Sequence, residues 1–126
     1  MRRDKNDQEW QALKLRVFQR DGGCQLMKIL SPQKAMTLMR EAKGMVQILD
    51  PAHVFGVGPF PHLCYVDDNV VLLNRYSHDM LDSMHDPVTG KFIDRETRDR
   101  WWTLIVGEER FRKLEALSQT AGESNE

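Results

Sequence analysis

A chain of 126 residues, 40% apolar with three Trp and five Phe, holds enough material for one domain with one modest core. It contains no run of about 18 apolar residues, which argues against a transmembrane helix, and Met1 to Glu9 carry no apolar stretch after their charges, which argues against a secretory signal. A net charge of −1 does not by itself point to nucleic acid, and two cysteines, Cys24 and Cys64, are too few for a disulfide framework, so an intracellular, reducing location is expected.

In chain order, Asp7 can cap a first helix in which Trp10, Leu13, Val17 and Phe18 recur at helical spacing up to Gln19. Arg20-Asp-Gly-Gly23 breaks that helix, and Cys24 to Leu30 reads as a short strand. Ser31 followed by Pro32 starts a helix over 32–43, closed by Gly44. Met45 to Leu49 is strand-like and delivers Asp50 and His53. The glycines and prolines of 56–61 require a loop. A helix resumes within 69–84, and Asp86 to Gly90 forms a turn. Asp94 caps a helix holding Trp101, Trp102, Ile105 and Val106, which Gly107 ends. A last helix carries Phe111, Leu114 and Leu117, and 118–126 is a small, polar tail expected to fray. The pattern predicts a single helix-rich α+β domain over 1–117, with a small β-hairpin at its centre.

Charge is unevenly distributed. Residues 1–43 carry ten Lys/Arg against five Asp/Glu (+5), residues 44–94 two against seven (−5), and residues 95–126 six against seven. A basic first third beside an acidic middle suits a phosphate-binding arm next to a carboxylate-rich metal site, although solvated surface charge also segregates by chance.

The chemistry concentrates in three residues. His53 stands in Asp50-Pro-Ala-His53-Val-Phe-Gly, and Asn69 and His78 lie nine residues apart in the segment that follows. A neutral histidine can activate water near neutral pH, and a second can help hold a divalent cation against a phosphate. Asp82, one helical turn after His78, can face the same ion. Taken singly, each has an ordinary explanation: His53 a structural histidine after a strand, Asn69 a cap, His78 and Asp82 surface residues of a helix, Asp50 a turn opener before proline. His62 and His85 fall outside the pattern and read as loop residues.

Together, a histidine on a strand, a loop, and an asparagine leading to a second histidine on a helix resemble the HNH (ββα-metal) endonuclease core. Asp50-x-x-His53, the Gly-containing loop and Tyr65-x-x-Asp-Asn69 are similar to the phage recombination nucleases related to lambda NinG. The resemblance runs over about 20–85, with a helical C-terminal part at 94–117. It implies a ββα-metal core that hydrolyses phosphodiester bonds in DNA, with His53 as the base, Asn69 as its orienting partner and His78 as a metal ligand. Asp82 and Asp50 are the candidate carboxylate ligands. One divalent ion is implied, Mg²⁺ or Mn²⁺ first, with Ni²⁺ or Zn²⁺ also compatible with such donors. Arg20, Arg75 and Lys91 are candidate phosphate contacts. The implied partners are DNA and a phage recombination or packaging protein, with no membrane, while oligomeric state stays open.

The chain departs from that family pattern at several positions. The residue before the base is Ala52, and Val57 stands where the phage pattern often has arginine. The two Cys-x-x-Cys pairs that bind a structural zinc in many HNH proteins fall here on Cys24, Met27, Asn74 and Ser77. No structural zinc is therefore expected, with apolar packing around Met27, Leu73 and the tryptophan helix in its place. These losses keep two other readings open: a catalytically silent DNA-binding or interaction module that retains the fold, and a structural protein whose histidines hold no metal.

Overall fold

The computed structural model describes residues 7–120. Helix α1 (Gln8–Asp21) starts where Asp7 accepts hydrogen bonds from the Glu9 and Trp10 amides, and it ends at Gly22, whose φ of 71° is the left-handed geometry that favours glycine. The expected break at 20–23 therefore comes just after Asp21. Leu13 and Val17 face fully inward.

The strand expected over Cys24 to Leu30 is a short helix, α2 (Gln25–Ile29). Gln25, Met27 and Lys28 are unbranched, helix-compatible side chains. The Gln25 amide and the Lys28 ammonium both donate to the Asp21 carbonyl, at 3.0 and 2.8 Å, folding the segment back onto the end of α1. Helix α3 (Pro32–Ala42) begins as expected, with the Ser31 hydroxyl accepting from the Lys34 amide. Its cap is Lys43 at φ 52°, not Gly44, and 43–47 form a 3₁₀ turn where a strand was expected to begin.

The strand β1 starts later, at Leu49–His53, and pairs antiparallel with β2 (Val70–Asn74), which precedes the helix expected within 69–84. Helix α4 (Arg75–Asp82) then follows, capped by Asn74 through the Ser77 amide. Asp86 organises the turn to Gly90 by accepting from the Val88 and Thr89 amides. Asp94 caps α5 (Arg95–Val106) as expected, and α6 (Glu108–Ser118) completes the domain. The expected tail begins at the last residue of α6, and 121–126 lie outside the described residues. Among the described residues no helix is long and apolar enough to cross a membrane.

The sheet separates two apolar clusters, and strand alternation decides which residue joins which. Ala52, Val71 and Leu73 face a cluster with Leu26, Leu38, Leu81, Trp102, Phe111 and Leu114. Val70 and Leu72 face Trp10, Leu13 and Val17 of α1. Pro51 sits inside β1 without cost to the ladder, because it pairs with Leu72 at a position where both backbone nitrogens point away from the partner strand. The outward Leu72 N–H donates to the buried Asp21 carboxylate at 2.9 Å. Arg20 and Arg110 both donate to the Val70 carbonyl on the same edge. Side chains from α1 and α6 thus do for the outer edge of β2 what a third strand would do.

Candidate metal and phosphate site

His53 closes β1, and its ring is held from two sides. It stacks on Trp10, with ring centroids 5.3 Å apart and planes 17° from parallel. Its Nε2 lies 3.1 Å from the Cys64 carbonyl oxygen. A carbonyl can only accept, so Nε2 carries the proton and the lone pair of the neutral ring sits on Nδ1, the atom that would take a proton from water.

Asn69, fully buried just before β2, works through the backbone. Its Oδ1 accepts from the Phe55 amide at 2.8 Å, and its Nδ2 donates to the carbonyls of Phe55 and Leu63 at 3.0 and 3.2 Å. It ties both ends of the 55–63 loop together, and Leu63 adjoins the Cys64 carbonyl that holds His53. These bonds of Asn69 thus go to the loop backbone rather than to the His53 ring, which it was expected to orient.

His78 lies on α4 between two carboxylates. Asp50 Oδ2 is 3.3 Å from Nδ1 and Asp82 Oδ2 is 3.2 Å from Nε2. An acceptor at each ring nitrogen stabilises the protonated ring relative to a free imidazole. The Asp82 contact is the largest influence raising its pKa, burial opposes it, and Asp50 adds to the rise. Asp50 also receives two bonds from Arg75, each 3.1 Å. Burial would raise the Asp50 pKa, but Arg75 and His78 together bring it below the usual carboxylate value.

This geometry divides the expected ligand set. Asp50 and Asp82 address opposite nitrogens of one ring, so a single ion at Nε2 is not shared by both as they stand. Among the described residues no three His, Cys, Asp or Glu side chains are grouped around one point. A cation at His78 Nε2 and Asp82 would have to displace the ring's proton and draw its remaining ligands from water. Asp50, expected as a ligand, lies at the other ring nitrogen, where a carboxylate would orient His78 if Nε2 held a metal. A cation there would supply Lewis-acid stabilisation of charge developing on a phosphate oxygen.

His53 and Asp82 line one cleft of about 650 Å³, together with Phe55, Gly56, Pro59, Phe60, Met84, Arg95, Arg98, Asp99 and Trp102. Arg95 and Arg98 were missed in the sequence. Their signal was present, two arginines three residues apart directly after the Asp94 cap, but nothing local says that the first turns of α5 pack beside the end of α4. Arg98 reaches that end through a long contact of 3.5 Å to the Leu81 carbonyl, and its Nε is buried without a hydrogen-bond partner among the described residues.

The three cations expected to contact phosphate fare differently. Arg20 uses Nε and both terminal nitrogens on Asp21 and on the carbonyls of Asp67 and Val70, so it is a structural clamp rather than a phosphate contact. Arg75 is half-exposed and paired with Asp50. Lys91 is exposed beyond the 86–90 turn and does not line the cleft. At the positions aligned with zinc ligands, Cys24 and Met27 pack into the larger core cluster with Leu73 and Trp102. Asn74 and Ser77 are buried, and Asn74 Nδ2 and Ser77 Oγ lack hydrogen-bond partners among the described residues.

Compared with known proteins, the chain matches no family model, no curated protein and no solved structure.

Proposed function

We propose that the protein is a metal-dependent phosphodiesterase of the HNH (ββα-metal) type that cleaves DNA. The observation that carries this reading is the shared cleft: a histidine held by a backbone carbonyl and Asp82, itself 3.2 Å from His78 Nε2, line it beside two arginines. In this reading His53 Nδ1 accepts the proton of the attacking water. Asn69 keeps the 55–63 loop closed behind His53, and Asp50 aims His78. The order of histidine-bearing strand, loop ending in Asn69, second strand and histidine-bearing helix supports the family resemblance. The test is hydrolysis of bis(p-nitrophenyl) phosphate with Mn²⁺. A general base contributes roughly 10²- to 10⁴-fold, so His53→Ala should lose at least about a hundredfold in rate while melting as a folded protein. Equal rates in the two proteins would remove His53 from the role of base.

Two observations favour a second reading, a DNA-binding module without catalysis. Ala52, where several HNH subfamilies place a ligand, is fully buried, and the two carboxylates near His78 do not converge. Under that reading DNA binds in EDTA with strong salt dependence, and no metal produces a cleavage product.

A further inference from the structure

The unexplained parts of the cleft are its arginines and its aromatic wall. The chain's other arginines near the hairpin are neutralised or bonded: Arg16 by Asp67, Arg20 by Asp21, Arg75 by Asp50, and Arg110 by the carbonyls of Asp68 and Val70. Arg95 and Arg98 form no salt bridge among the described residues, although both line the cleft with Asp82 and Asp99. Burial raises the pKa of Asp99, with Arg95 and Arg98 pulling against that rise. Arg98 holds a buried, unpartnered Nε in a half-buried side chain. Two cations that form no salt bridge among the described residues and line one concave site suit an anionic ligand.

The cleft also carries aromatic side chains. Phe60 is half-buried at the cleft and meets Phe55 edge-on, with ring centroids 5.4 Å apart. At about 650 Å³ the space falls in the range of small-molecule sites, roughly 300–1,000 Å³, which suits one nucleotide. Arginine forks suit phosphate oxygens, and an aromatic face suits an unstacked base of any identity.

We infer that this cleft seats a single unstacked nucleotide of a DNA strand, its phosphate between Arg95 and Arg98 and its base against Phe60. The substrate is then single-stranded DNA or a strand opened at the cleavage point, and duplex is a poorer ligand. This inference rests on the reading of the cleft as a phosphodiesterase site, but its test is binding without chemistry.

The experiment is fluorescence anisotropy of labelled dT8 and of an eight-base-pair hairpin, in EDTA, across a salt series. Wild-type protein should bind dT8 more tightly than the hairpin. Arg95→Gln, an exposed position, should weaken dT8 binding about tenfold and lower the salt slope by about 0.7, the loss of one phosphate contact on a single strand. Arg98→Lys should weaken binding with the charge retained, and Phe60→Leu should weaken it without changing the slope. Arg40→Gln, on α3 away from the cleft, should bind as wild type. Unchanged affinity in Arg95→Gln and Arg98→Lys, an equal loss in Arg40→Gln, or preference for the hairpin would each overturn the inference. Because metal is absent, these results are read separately from cleavage: nicking with arginine-independent binding refutes the clamp alone, and arginine-dependent binding without nicking refutes the nuclease alone.

Discussion

Asp21 is the residue whose replacement most directly tests how the site's scaffold is built. Its carboxylate is buried, accepts the Leu72 N–H at 2.9 Å, and receives two bonds from Arg20 at 2.7 and 3.0 Å. Asp21→Ala strips the acceptor from a fully buried strand amide, a loss of about 1–3 kcal/mol. It also removes the partner of Arg20, which is one-third exposed, so that part is limited to about 1 kcal/mol. The sum is about 3 kcal/mol, and at about 4 °C per kcal/mol for a domain of this size Tm falls by about 12 °C. Asp21→Asn retains one acceptor oxygen and should lose about half as much.

The pH dependence gives a second check on the same residue. Burial acts to raise the Asp21 pKa, but Arg20 and the Leu72 amide lower it below its ordinary value. A carboxylate depressed on folding adds stability that is complete above its unfolded pKa of about 3.9 and is lost as pH falls through the folded value. The stability difference between wild type and Asp21→Asn should therefore be constant near neutrality and shrink below about pH 4. Urea denaturation followed by circular dichroism, at neutral and acidic pH, measures both effects. A loss under about 1 kcal/mol for Asp21→Ala, or a difference that does not shrink in acid, would refute the idea that this carboxylate replaces a missing strand.

Three further outcomes are expected. Asn69→Asp turns a donor toward the carbonyls of Phe55 and Leu63 into an acceptor, so it should destabilise by about 3 kcal/mol or more in thermal melts, and more than Asn69→Ser. His78→Gln in EDTA should cost about 1 kcal/mol at pH 5.5, and less as pH rises. The sign follows from the raised pKa of His78: its stabilisation is complete below the unfolded value near 6.5 and is lost as pH passes the folded value. Asp50→Ala should weaken Mn²⁺ binding by roughly 10- to 100-fold, the usual cost of losing a histidine-orienting carboxylate, with Mn²⁺ titration calorimetry as the readout. Loss of all measurable binding would instead return Asp50 to the ligand shell.

What the sequence revealed followed the strength of its local signals. Caps with a short polar side chain, at Asp7, Ser31 and Asp94, start helices where the pattern expects them, because each needs only the next three residues. Short apolar runs were harder. Cys24 to Leu30 carries no period long enough to separate strand from helix, and the choice is made by Gln25 and Lys28 reaching back to Asp21. The continuous run Val70-Val-Leu-Leu73 is a strand buried on both faces, a pattern that masks alternation. Within the site, the three-residue spacing of Asp50 and His53 suggested one ligand set, but alternation along β1 turns them to opposite faces. Asp82, one turn from His78, was legible because helix geometry alone brings i and i+4 together. Arg95 and Arg98 reach the cleft through the packing of α5, which no local pattern encodes.

The central claim is tested most directly by incubating the protein with supercoiled plasmid in Mg²⁺, Mn²⁺, Ni²⁺ or EDTA, beside His53→Ala and His78→Ala. Nicking should need a divalent metal and be lost in both variants while their melting curves remain cooperative. Cleavage that persists in EDTA or in His53→Ala, or no cleavage with any metal by a protein that still binds DNA, would contradict it.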